Sequence, residues 1–83
     1  TDDETTNAAH QKIASLVRGI DENISIHDFR MVPGPTHTNL IFDVVTPFGF
    51  RLEDAEVARQ LRALIRTFDS HYVPVIQVEH SYI

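Results

Sequence analysis

SIHDFRMVPGPTHTNLIFDVV, residues 25–45, is two strand-like runs joined by a turn. Along 24–32 the side chains alternate across a pleat. Ser25, His27, Phe29 and Met31 fall on one side, and Ile26, Asp28, Arg30 and Val32 on the other. Pro33-Gly34-Pro35 stops helix and central strand alike, because proline fixes φ and donates no N–H. Residues 38–46 are rich in β-branched and aromatic side chains, which suit a second strand. Leu40, Phe42 and Val44 share one face, while Ile41 and Val45 share the other with Asp43. A strand apolar on both faces is ordinarily covered on both.

Upstream of this hairpin, Ala9, Ile13, Leu16, Val17 and Ile20 fall at i, i+4, i+7, i+8 and i+11, one helical stripe facing a core. Thr5, Thr6 or Asn7 would cap that helix, which leaves residues 1–8 as a linker remnant and 9–83 as a single domain. Downstream, Pro47-Phe48-Gly49-Phe50 breaks the pattern, and Val57, Leu61, Leu64, Ile65 and Phe68 then repeat the helical spacing. Glu53, Asp54 and Glu56 sit in the first turn and Arg62 and Arg66 towards the end, as the helix dipole favours. Residues 72–82 predict a third strand, with Val73, Val75, Gln77 and Glu79 opposite Ile76, Val78 and His80. Pro74 near its start keeps that end out of a sheet centre.

The order α-β-β-α-β predicts an α+β fold, a truncated ferredoxin-like sandwich. It has a three-stranded mixed sheet with two helices on one face, and a right-handed crossover joins its parallel strands. Two helices cannot cover both sides of such a sheet, so one face calls for a partner chain.

Composition narrows the function. Eighty-three residues suit one compact domain with a modest core. The net charge of −5, from 12 acidic against 7 basic residues, disfavours a nucleic-acid partner, since phosphate binding draws on clustered Lys and Arg. With no cysteine, disulfides, thiolate metal sites and cysteine nucleophiles are excluded. No apolar run approaches a membrane span. The start at Thr1 rather than methionine is consistent with a fragment.

Five histidines are present, but none forms a short-range HxH or HxxxH pair. His27 offers an imidazole suited to Zn²⁺, Mn²⁺ or Fe²⁺. Adjacent strand residues face opposite ways, so Asp28 would not share its ion and pairs more naturally with Arg30. His37 reads as a turn histidine, His71 as a loop histidine, and His10 lies on the exposed side of the first helix. The four serines lack a nucleophile-elbow context, and three glycines build no phosphate loop. The expectation is that the chain is not an enzyme.

The element order, the IHDFR start of the first strand, the Gly34-Pro35-Thr36 turn, the EDAEVARQLRALI helix and the VIQVEHSY tail carry a resemblance. Together they resemble the cytoplasmic C-terminal domain of cation diffusion facilitator transporters, over nearly the whole chain. The resemblance implies a cytosolic regulatory and dimerisation domain of a divalent-cation efflux transporter. It would form a homodimer through the same domain, be joined to a membrane-embedded transporter domain of the full-length chain, and sense a cation such as zinc or manganese. His27 matches the family's first-strand histidine, Glu56 lies where some members carry a helix histidine, and Glu79 matches an acidic residue of the last strand. Phe42 and Gln77 stand where further histidines occur, so the implied site is His27, Glu56 and Glu79, or a shifted one using His37, Asp43 or His80. The alternative is a free-standing ferredoxin-like metal-carrier or protein-interaction module.

Overall fold

The computed structural model describes residues 2–82. Its elements are α1 (Asp2–Ile20), β1 (Ser25–Pro33), β2 (Thr38–Pro47), α2 (Asp54–Phe68) and β3 (Tyr72–Ser81). This is the ferredoxin-like α+β arrangement that the sequence predicts. The three strands form one sheet in the order β1-β2-β3, with β1 antiparallel and β3 parallel to β2.

One side of the sheet carries the core. Leu40, Phe42, Val44 and Thr46 alternate inward along β2 and are fully buried. Ile13 and Val17 of α1, and Val57, Leu61 and Ile65 of α2, close over them. Both helices therefore lie on the same face. The stripe of α2 is narrower than its spacing suggests, since Ala58 is buried while Leu64 and Phe68 are exposed.

Two differences from the sequence reading matter. The first helix begins at Asp2 rather than Ala9, so residues 2–8 form its opening turns. Glu4 suits the positive end of the helix, and Ala8 and Ala9 carry no rotamer cost, so nothing interrupts the helix before its stripe starts.

The second difference is a β-bulge in β1. The register runs Ser25↔Val45, Ile26↔Val44 and His27↔Asp43, then resumes at Arg30↔Ile41. Asp28 and Phe29 together therefore oppose Phe42. Asp28 is the extra residue, with φ at +55°, a left-handed conformation that aspartate tolerates better than most side chains. The extra residue reverses the pleat. Ile26, Phe29 and Met31 all reach the core side, where strict alternation sets Ile26 against the other two.

The connections are fixed locally. Gly34 N–H donates to the His37 carbonyl at 2.9 Å, and a Cβ on Gly34 would meet that same oxygen at 3.0 Å, so a larger residue would require the hairpin turn to give by a few tenths of an ångström. Arg51, in the loop before α2, donates to the Ile20 carbonyl at 3.0 Å and to Asp21 Oδ2 at 3.3 Å, and so satisfies the end of α1.

Candidate functional site on the open sheet face

No helix among the described residues lies over the other side of the sheet. Reading across β1, β2 and β3, it is built in rows: Val32–Asn39–Val73, Arg30–Ile41–Val75, His27–Asp43–Gln77 and Ser25–Val45–Glu79. Val32, Val73 and Val75 are 46%, 40% and 49% exposed, a valine patch left in water. Apolar residues scattered singly need no explanation, but three on one flat face beside Ile41 and Val45 mark a surface that can be covered.

The bulge sets the chemistry of this face. Before it, His27 stands directly opposite Asp43; cross-strand partners of this kind hold their Cβ atoms roughly 4.5–5.5 Å apart. Phe42, the position matched to a second histidine, points into the core and stacks on Phe29 at 5.8 Å. Asp43 is thus the β2 residue that shares a face with His27. The exposed His27 ring places Nε2 3.2 Å from Ser25 Oγ. Glu79 lies one row on, where its Oε2 accepts a 3.4 Å hydrogen bond from Gln77 Nε2.

Glu56 does not join this group. It belongs to α2, on the helix side of the sheet, where its carboxylate accepts from Arg59 at 2.6 and 3.0 Å and from Gln60 at 2.9 Å. These hydrogen bonds, with Arg59 first, lower its pKa to about 2. A cation would have to displace Arg59 to reach it. His37 stays in the turn, with Nδ1 3.0 Å from Thr36 Oγ1. His10 stays on the exposed side of α1 but lies flat on Phe29, ring centres 4.9 Å apart.

His80 is engaged elsewhere. Its Nδ1 lies 3.0 Å from Thr46 Oγ1, and its Nε2 lies 2.9 Å from Asp54 Oδ1. Hydroxyl, imidazole and carboxylate from β2, β3 and α2 thus form a chain at the carboxyl end of the parallel strands. Thr46 is itself buried, with 1% of its surface exposed. The chain ties the start of α2 to the sheet. The sequence held one sign of it: Thr46 continues the inward set Leu40, Phe42, Val44 and is the one polar member.

Among the described residues, no three histidine, aspartate or glutamate side chains converge as a metal-holding group. The implied ligands divide instead: His27, Asp43 and Glu79 on the open face, Glu56 and His80 on the helix side, His37 at the turn. No described helix is long and apolar enough to cross a membrane. Compared with models of known protein families, with curated proteins and with solved structures, the chain matches none.

Proposed function

We propose that this chain is a regulatory and dimerisation domain of a divalent-cation efflux transporter, held at the cytoplasmic face of the membrane by a membrane-embedded part of the same protein. The observation that carries the reading is the open sheet face. It sets His27 and Asp43 side by side, with Glu79 one row away, among exposed valines that no helix covers. The apolar part of that surface supports pairing with a second copy, and the resemblance to cation diffusion facilitators supports the transporter context.

Imidazole and carboxylate together suit Zn²⁺ or Mn²⁺. One copy offers His27 and Asp43, fewer donors than the four a closed zinc site takes. A second copy laid on the same face brings its own pair. In this reading metal binding does no catalysis; it strengthens the pairing of two copies, and the membrane part responds to that pairing.

Sedimentation with and without Zn²⁺ and Mn²⁺, alongside titration calorimetry, tests both halves. The expected result is a dimer that metal tightens, with the metal effect lost in His27→Ala/Asp43→Ala. A strict monomer at high micromolar concentration under every condition overturns the reading. A free-standing protein-interaction module of the same fold is the second reading, favoured by the lack of a three-ligand group among the described residues of one copy. A dimer indifferent to metal selects it.

A further inference from the structure

β1 and β3 are the two edges of the sheet, and they are built differently. β1 is blunted by its bulge at Asp28 and by Pro33 at its end, devices that keep a free edge from collecting another strand. β3 runs in unbroken parallel register with β2 from Tyr72 to Ser81. Thr38 N–H donates to the His71 carbonyl at 2.8 Å, and Phe48 N–H to the Ser81 carbonyl at 2.9 Å. Alternate residues of a strand bond to a given parallel neighbour, so these two bonds fix the pattern between them. Val73, Val75, Gln77 and Glu79 turn their backbone groups to β2, while Pro74, Ile76, Val78 and His80 turn theirs to the free edge. Proline thus falls where its missing N–H costs no ladder bond. Beyond it, from Val75 to Ser81, the edge has no proline, no bulge and no lysine or arginine. The N–H and carbonyl groups of Ile76, Val78 and His80 meet no strand among the described residues.

We infer that this edge pairs with the β3 edge of a second copy, antiparallel about a two-fold axis at Val78. An unblunted edge accepts an extended strand, and this one is complementary to itself. With Val78 opposite Val78, Ile76 lies opposite His80 of the second copy, and the outward N–H of each finds a carbonyl. Both Pro74 residues fall outside these pairs. Of the open-face side chains along the stretch Glu79 alone is charged, and this register sets it opposite Gln77 of the second copy, whose amide can donate to it. A two-fold one residue further on sets Glu79 against Glu79, and one at Ile76 or Gln77 draws Pro74 into the ladder. Charge and proline position therefore select both the register and the occupant. The contact continues the sheet across two copies and leaves the open face free, so it is separate from the pairing proposed above. Backbone bonds are exchanged for bonds to water and contribute modestly, so the edge pairs at higher concentration than the open face. Copies held side by side reach such concentrations, and with one neighbour on the face and another along the edge they extend into a row.

The test uses the Val73→Lys chain, which carries a charge on the open face outside the paired stretch and so isolates the edge. Amide solvent-exchange rates, followed by NMR from roughly 0.1 to 2 mM, should fall by about twofold or more at Ile76, Val78 and His80, as mass action requires of a millimolar dimer. A mixture of isotope-labelled and unlabelled chains should give a contact between Gln77 Hα and the Glu79 Hα of the other copy, the close pair of an antiparallel ladder. Val78→Pro removes an N–H that β2 does not use, as Pro74 already does, and should abolish both signals. Gln77→Glu, at an exposed position, sets like charges opposite each other and should weaken association by about twofold or more. Unchanged resonances in α2 and β2 report that a variant folds, and if Val78→Pro does not, the exchange rates, the contact and Gln77→Glu decide alone. Rates indifferent to concentration, a contact in another register, or a folded variant that associates as tightly as Val73→Lys alone each overturn the inference. No readout involves metal and the open face is blocked throughout, so failure here is distinguishable from failure of the efflux reading.

Discussion

Glu56 shows how a residue can match in sequence and differ in chemistry. Its place near the start of α2 reads equally as a ligand or as a helix-terminal charge, and spacing alone does not separate them. Arg59 and Gln60, at i+3 and i+4, separate them by occupying the carboxylate. Because folding lowers the Glu56 pKa from 4.5 to about 2, the folded state favours the ionised form. The stabilisation is present above the unfolded pKa and is lost as pH falls through the folded one, between about 4.5 and 2. A carboxyl ¹³C titration should therefore place the Glu56 midpoint far below that of the other glutamates, and Arg59→Ala should return it towards the ordinary range. A Glu56 midpoint that does not move in Arg59→Ala would show that the pair does not cause the shift. Alternation set His27 on the side of Phe29 and Met31, which face the core; the bulge turns it to the open face opposite Asp43, and that register depends on an insertion that residue types barely announce.

At the scale of elements, strand parity was legible wherever the strand is regular. β2 and β3 keep the two-residue alternation along their paired length, with no register shift between them. β1 departs at its bulge, and the only hint lies in the apolar set Ile26, Phe29, Met31, whose first step is three residues rather than two. The start of α1 was obscured for a different reason: its first turns bury little, so no stripe marks them. The bulge gives a direct prediction. Asp28 sits at φ +55°. Asp28→Gly should keep or slightly raise stability, because glycine takes that conformation without Cβ strain. Asp28→Val should lower it by about 1–2 kcal/mol, the scale of left-handed strain for a residue with a bulky Cβ. Urea midpoints of the two variants check this. A valine variant as stable as the glycine one would mean the strand can shed its extra residue.

For the whole molecule, the decisive asymmetry is that two helices cover one side of a three-stranded sheet and leave the other side bare. That was foreseeable from counting elements, because β2 is apolar on both faces and the described residues hold only two helices, both on the core side. What counting could not supply was which side chains meet on the bare face, since that follows from register across three strands. The pairing proposal lives at this scale. Val75 lies on the open face beside Ile41 and is 49% exposed, so a lysine there introduces a charge without entering the core. Val75→Lys should leave the unfolding midpoint nearly unchanged, within roughly 0.5 kcal/mol as for most surface substitutions. The same lysine laid against the opposite copy would be desolvated without an acceptor, a cost large enough to dissociate a modest interface. Sedimentation should therefore find the variant monomeric where the parent chain is dimeric, while Ser15→Lys, on the exposed side of α1, remains dimeric. A Val75→Lys dimer as tight as the parent would move the interface off the open face and remove the physical basis for a metal site shared between two copies of His27 and Asp43.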